Sequence, residues 1–324
     1  SGVRPADPPP AQEGLPDDVE TELAAALPQT QGARFLPMLR GLALRMVAVL
    51  LLGAAAFVLW RTFREIRPED VLQAMGAWGW RISALAVLFS ALSFLLMGIV
   101  EWIGLRWAGA RVDLGTATAG FIISSGIAHS LGSTLIVSGA IRARIYAGHG
   151  VSLRQVAATT LFQAIAFTLG LSAVAGVGLL LAGSQEIAAV AGLDGVVADA
   201  LGLILLGSVA AYVGLCAVFH RPVRAFGHSI RLPTLRMALT QLGLGAIDSA
   251  MAAAIIWILL PAGSVGYFTF VGAYAPSVVA GLISHVPGGV GVFEGSLSAL
   301  LGGLPAAPLA AAFLGYRLAF FVLP

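Results

Sequence analysis

Residues 249–293 pass without one charged side chain, and so do residues 114–141 and 155–185. A bilayer crossing takes about 20 predominantly apolar residues, so tracts of this kind are built for hydrocarbon. The whole chain agrees: 58% of its 324 residues are apolar and 10% are charged, against about 25% charged in soluble domains. The mean hydropathy is +0.92. The sequence therefore reads as an integral membrane protein.

Counting spans gives an all-α polytopic membrane protein with about six full transmembrane helices plus two broken, re-entrant segments. Full spans are expected at about 41–60, 82–103, 155–185, 200–219 and 238–260, with a last apolar helix at the end. Residues 1–40, rich in Pro, Ala and acids, read as a disordered cytoplasmic tail; residues 41–324 form the membrane domain. Between the first two spans, Pro68-Glu69-Asp70 looks like a helix start. Trp78 and Trp80 beside it suit the headgroup layer. Arg317-Leu-Ala-Phe-Phe-Val-Leu-Pro324 stops inside an apolar run, which points to a piece of a longer protein.

Orientation follows the arginines, since cytoplasmic loops carry the excess of basic residues. Arg34, Arg40 and Arg45 favour a cytoplasmic N-terminus. The 186–199 loop, with acids and no Arg, reads as outside; the loop with Arg221, Arg224, Arg231 and Arg236 reads as inside. Consistency then favours drawing 114–141 as a hairpin that enters and leaves from the inside. That segment is interrupted by Ser124, Ser125, Gly126, His129, Ser130, Gly132, Ser133 and Thr134. A second one, 266–295, is interrupted by Pro276, Ser277, Gly281, Ser284, His285, Pro287, Gly288 and Gly289. Irregular backbone at membrane depth is tolerated only against protein or a wet cavity. Two such segments in two halves of a chain match an inverted-repeat transporter.

Several function classes drop out. Cys216 is the only cysteine and lies in an apolar run, so neither a disulfide framework nor a thiolate metal site is expected. No metal or other cofactor is implied. The net charge of +2 is scattered over the loops, and nucleic-acid binding is not expected. There is no paired-carboxylate spacing, nucleophile elbow or metal-ligand cluster, so no catalytic site is expected in this chain.

The residues that could carry chemistry are few. Asp248 falls near the middle of a span, where an ionisable group costs at least about 2.5–3.5 kcal/mol unless it faces a partner or a wet cavity. It reads either as a counter-ion for a cationic headgroup or a proton-coupling site, or as a structural partner of Arg142, Arg144 or a backbone N–H, or simply as a protonated acid. Arg142 and Arg144 follow the first broken segment and carry donors suited to phosphate; the alternative is anchoring. Pro287, Gly288 and Gly289 force the backbone out of a helix and free N–H and C=O groups to line a cavity, and Glu294 follows as a site acid. Glu101 reads as snorkelling to the headgroups. His129, His285, Tyr316, Phe320 and Phe321 read as packing.

The run Ser284-His-Val-Pro-Gly-Gly-Val-Gly-Val-Phe-Glu294 resembles the signature of the lysylphosphatidylglycerol synthase transmembrane family, the flippase part of the multiple peptide resistance factor. Ser138-Gly-Ala-Ile-Arg-Ala-Arg-Ile-Tyr146 with Gly150-Val-Ser152, Leu242–Leu260 with Asp248, and Tyr316-Arg317-Leu-Ala-Phe-Phe agree with it in order and spacing. The resemblance covers about residues 40–324. Ala140 and Ala143 depart from the small-residue and aromatic pattern that the family often has there.

The resemblance implies a flippase moving aminoacylated phosphatidylglycerol, such as lysyl-phosphatidylglycerol, from the inner to the outer leaflet of a bacterial inner membrane. The outcome would be resistance to cationic antimicrobial peptides, because each basic group near an anionic surface gains about 1 kcal/mol. Its partners would be the phospholipid and a C-terminal synthase domain using aminoacyl-tRNA; apart from the resemblance, a homodimer is also expected, although the sequence shows no clear GxxxG seam for it. In this reading the two broken segments enclose a laterally open polar groove, with Arg142 and Arg144 holding phosphate and Asp248 and Glu294 the ammonium. Two alternatives stay open: the membrane portion of a phosphatidylglycerol lysyltransferase that presents lipid without moving it, and a transporter of polyprenyl-phosphate-linked sugar.

Overall fold

The computed structural model describes residues 67–131, 134–183, 186–188, 192–219, 223–225, 228–230, 232–284 and 286–322, together with 53, 57, 60 and 64. The side chains of 129–136, 223–230 and 287 are outside that description. The N-terminal tail, nearly all of the span expected at 41–60, and His285 also lie outside the described residues.

Helix α1 (Pro68–Gly76) begins on Pro68 with Glu69 and Asp70 in its first turn. That is the arrangement favoured by the free N–H groups and positive end of a helix. Helix α2 (Gly79–Trp107) follows. The first interrupted segment is two helices, α3 (Leu114–Leu131) and α4 (Thr134–Ala147). Asp113 opens α3, accepting a hydrogen bond from the Thr116 N–H at 2.9 Å. Its bonds from Thr116 hold the carboxyl below the usual aspartate range.

Helix α5 (Leu153–Leu181) starts at a capping box, in which Ser152 Oγ accepts from the Gln155 N–H and Gln155 Oε1 accepts from the Ser152 N–H. Helices α6 (Gly195–Val218) and α7 (Leu235–Leu259) are capped by Asp194 and Thr234. Between them the Arg-rich loop carries a small antiparallel hairpin, β1 (Val223–Ala225) with β2 (His228–Ile230), in which Arg224 stands opposite Ser229.

The second interrupted segment is helix α8 (Tyr267–Ile283), a 3-10 turn at Pro287–Gly289, and helix α9 (Val292–Leu300). Helix α10 (Ala306–Arg317) then runs into a π-helical turn, Leu318–Val322. Among the described residues four helices, α2, α5, α6 and α7, are long and apolar enough to cross a membrane, and three shorter apolar helices accompany them. The protein is an all-α, multi-pass membrane protein, with the loop hairpin as its only strands among the described residues.

Helix α7 packs against α2, α5, α6, α8 and α10. The main apolar cluster forms around it from Ile255, Ile256, Phe270, Leu297 and Leu309. In hydrocarbon there is no hydrophobic drive between helices, and small residues that let backbones meet do the work instead. The α5–α7 crossing illustrates this. A Cβ on Gly170 would overlap the Gly245 carbonyl, and one on Gly245 would overlap the Ala166 carbonyl. Trp78, expected at the headgroups, turns inward: its indole N–H donates to the Leu259 carbonyl at 2.9 Å and its ring lies on Gly315. Trp80 remains exposed.

Replacing Gly245 with Val must push α5 and α7 apart, and overpacking of this kind costs about 1–3 kcal/mol. We expect a clearly lower unfolding midpoint in detergent for Gly245→Val. Gly207→Ala, whose new Cβ would meet open space, should leave it in place. Equal midpoints for both variants would show that the crossing is not tight.

Candidate functional site

One face of α2 organises the polar interior. Ser90, Ser93, Met97 and Glu101 recur at helical spacing, and all four are buried. Ser90 Oγ donates to the Ala319 carbonyl at 2.6 Å, in the π-helical turn. Ser93 Oγ donates to Asp248 Oδ1 of α7. The Met97 carbonyl accepts from Gln163 Nε2 of α5 at 3.1 Å. Glu101 meets Arg142 of α4, with its Oε1 at 3.4 Å from the guanidinium Nε. Ser93 and Glu101 are eight residues apart, so at 1.5 Å per residue the two ionic positions lie about 12 Å apart along the helix.

Arg142 is 3% exposed and every arm of its guanidinium is engaged. Nε donates to Ser124 Oγ at 3.1 Å, Nη1 to Thr160 Oγ1 at 3.3 Å, and Nη2 to Gln163 Oε1 at 2.5 Å. Its direct hydrogen-bond partners are thus neutral groups, with Glu101 supplying the charge. Tyr146 completes the cluster by donating to Glu101 Oε1 at 3.0 Å, with the Ala117 carbonyl 3.3 Å away. The ring fits because position 120 is glycine; any Cβ there would run into the Tyr146 hydroxyl. Glu101 Oε2 is buried without a hydrogen-bond partner among the described residues.

Glu101 therefore does not snorkel. A carboxylate of zero exposure beside an arginine is held by that pair, since leaving either charge alone in a dry interior is strongly unfavourable. Arg144, two residues beyond Arg142, is on another face of α4 and exposed. The structure does not bring the two arginines together.

Asp248 is 5% exposed. Among the described residues no cation lies within ion-pair distance of it, and the hydroxyl of Ser93 is its hydrogen-bond donor. Neither Arg142 nor Arg144 pairs with it. Tyr274 of α8 and Tyr316 of α10 both pack their rings against Phe293 of α9.

Glu294 sits in the first turn of α9 with both oxygens in use. Oε2 accepts from the Gly291 N–H at 2.8 Å, and Oε1 accepts from Arg317 Nε at 2.7 Å, with Nη2 at 2.6 Å. Arg317 Nη1 also donates to the Gly288 carbonyl at 2.7 Å. One arginine thus ties the end of α10 to the interrupted backbone. Gly288, Gly289 and Gly291 have φ of 59°, 61° and 84°, values that side chains with a Cβ rarely adopt. Helix α3 packs against this Pro287–Gly289 turn, so the two interrupted segments touch.

Sequence reasoning passed over Ser93, Gln163 and the pairing role of Glu101. The signal was a polar face at positions 90, 93 and 101 in an otherwise apolar helix, which a count of charges alone does not register. The expected packing aromatics do pack, Tyr316 stacking on Phe320 with ring centroids 5.4 Å apart. No group of three or more potential metal ligands occurs among the described residues.

Residues 45–324 match the family described as "Lysylphosphatidylglycerol synthase TM region". The chain is 37% identical over 127 residues to "Inner membrane protein YbhN" of Escherichia coli (strain K12), an alignment covering 38% of this chain and 40% of that protein. It is 28% identical over 236 residues to "Uncharacterized protein slr0712" of Synechocystis sp., covering 72% of this chain and 73% of that one.

Breaking a buried pair by removing one partner costs about 3–5 kcal/mol, whereas replacing both partners is far milder. Arg142→Met should therefore destabilise the detergent-solubilised protein strongly, and Arg142→Met with Glu101→Gln should recover most of the loss. A double variant no more stable than the single one would mean that the two side chains do not act as a pair.

Proposed function

Because the chain belongs to the lysylphosphatidylglycerol synthase transmembrane family, we propose that it moves a phospholipid with a cationic headgroup across the bilayer. The substrate class is aminoacylated phosphatidylglycerol, such as lysyl-phosphatidylglycerol. The direction is from the inner to the outer leaflet of a bacterial inner membrane, with the N-terminus cytoplasmic. The result for the cell is a less anionic surface and resistance to cationic antimicrobial peptides.

The observation that carries this reading is Asp248, a buried intramembrane carboxylate with no cation paired to it among the described residues, about 12 Å along α2 from the buried guanidinium of Arg142. An acid and a base held apart in this way suit a headgroup in which several bonds separate phosphate from ammonium. Asp248 receives the ammonium, exchanging the Ser93 hydroxyl for a charged donor. Arg142 receives the phosphate, for which Ser124 and Thr160 hydroxyls are weak placeholders. Arg144 waits at the exposed edge of α4.

Glu294 enters as a second ammonium acceptor when Arg317 lets go of it. Until then the pair holds the Pro287–Gly289 turn in shape, with its backbone groups on the wall of the path. Weak, sequential contacts fit transport, because a site that bound the headgroup tightly would trap it. Any synthase activity belongs to further chain segments or partners, and a second copy of this chain is the partner in a homodimer.

The experiment is leaflet transfer in proteoliposomes with headgroup-labelled lysyl-phosphatidylglycerol and plain phosphatidylglycerol. A hydrogen bond to a charged group is worth about 1.5–3 kcal/mol, so Asp248→Asn should slow transfer of the lysyl lipid about tenfold or more. Phosphatidylglycerol should change little. Equal rates for wild type and Asp248→Asn would remove the ammonium site. No transfer of either lipid would redirect the reading to a scaffold for a synthase or a carrier of polyprenyl-phosphate-linked sugar.

A further inference from the structure

Among the described residues three carboxyl groups are buried, and two of them have an arginine. Glu101 lies 3.4 Å from Arg142, and Glu294 lies 2.6 Å from Arg317. Asp248 has no such partner, and the neutral hydroxyl of Ser93 is its hydrogen-bond donor.

The helices around Asp248 bring it no other charge. Helix α7 packs against α2, α5, α6, α8 and α10. Of their charged side chains that are not exposed, Glu101 on α2 and Arg317 on α10 are held by their own partners. The remaining titratable groups away from solvent are Tyr212 and Cys216 on α6, Tyr267 and Tyr274 on α8, and Tyr316 on α10. Phenols and thiols are ordinarily neutral near pH 7. Arg81, Arg106, Arg154, Asp199 and, on α7 itself, Arg236 are all exposed.

An ionised carboxylate taken out of water without a counter-charge is so costly that such a group takes up a proton instead. An arginine partner would lock Asp248 in its charged form. A hydroxyl does not, because it can donate both to a carboxylate and to the carbonyl oxygen of a neutral acid. Asp248 is also within reach, with 5% of its surface accessible, whereas Glu101 at 0% is sealed.

We propose that Asp248 carries a proton when no cargo is bound and yields it as an ammonium arrives, so that each cationic headgroup carried outward is exchanged for a proton carried inward. The carboxyl O–H bond breaks on the inner side and its proton passes to water there. The carboxylate then pairs with the ammonium, and after release on the outer side a proton from water on that side restores the acid. No electrons move, and one positive charge replaces another. The inference rests on the translocation reading and adds to it a driving force, a pH gradient that is acid outside.

The test is the leaflet distribution of a trace of acyl-labelled lysyl-phosphatidylglycerol in proteoliposomes, with a pH step across the membrane and the potential clamped at zero by valinomycin and equal potassium. One pH unit corresponds to about a tenfold equilibrium ratio. With the outside one unit more acid, wild type should therefore enrich the label about tenfold in the outer leaflet. The opposite step should reverse the enrichment, whichever way the protein is inserted. Whatever transfer remains in Asp248→Asn should end evenly distributed.

A second measurement needs no transport. In weakly buffered detergent, lysyl-phosphatidylglycerol added to wild type should release about one proton per bound lipid, read with a pH indicator. Plain phosphatidylglycerol, and the lysyl lipid with Asp248→Asn, should release none. Equal release from wild type and Asp248→Asn would overturn the placement of the proton on Asp248. Transfer in wild type that ends evenly distributed under a standing gradient would overturn the exchange and leave translocation intact, whereas no transfer at all would overturn both.

Discussion

An ionised group in hydrocarbon has to find its compensation inside the protein, and the rest of this structure depends on how that is done. Arg142 is surrounded on all three guanidinium nitrogens, and its charge is balanced by Glu101 from a different helix. Arg317 is balanced by Glu294 and also spans to the Gly288 carbonyl. Each pair joins two different helices, so that compensation of charge and assembly of the fold are one event. Buried pairs are weak evidence for net stability; their value here is that they fix which helices are neighbours. Asp248 stands apart from this scheme, held by a hydroxyl instead of a cation.

Glycine does for the backbone what these pairs do for charge. The α5–α7 contact at Gly170 and Gly245 has no room for a methyl group, and Gly120 makes the space in which Tyr146 reaches Glu101. In the 287–291 stretch the requirement is conformational, with three glycines at positive φ. The same residue type thus serves close packing at one place and a break at another.

Much of the architecture was legible. Apolar run length placed α2, α5, α6 and α7 to within a few residues, because a helix that crosses hydrocarbon must be both long and nearly uncharged. The two interruptions were visible as clusters of Ser, Gly and Pro. Partner choice was not legible. Glu101 near the end of its span looked like a side chain reaching for water, and nothing local reveals that Arg142, forty-one positions on, folds back against it. For the same reason Arg142 and Arg144 read as a pair, although an interval of two residues puts them on different faces of α4. Gln163 carried no signal beyond being polar in an apolar helix, yet it links the Met97 carbonyl to the guanidinium.

Because Ser93 and Glu101 belong to one uninterrupted helix, the distance between the two points on α2 that meet Asp248 and Arg142 is set by covalent geometry and not by the packing of loose parts. Helix α2 is a ruler that no rocking of neighbouring helices can stretch. Any rearrangement that opens one side of the protein and closes the other must leave this interval intact, sliding α4 or α7 along α2 while their counterparts on it stay fixed.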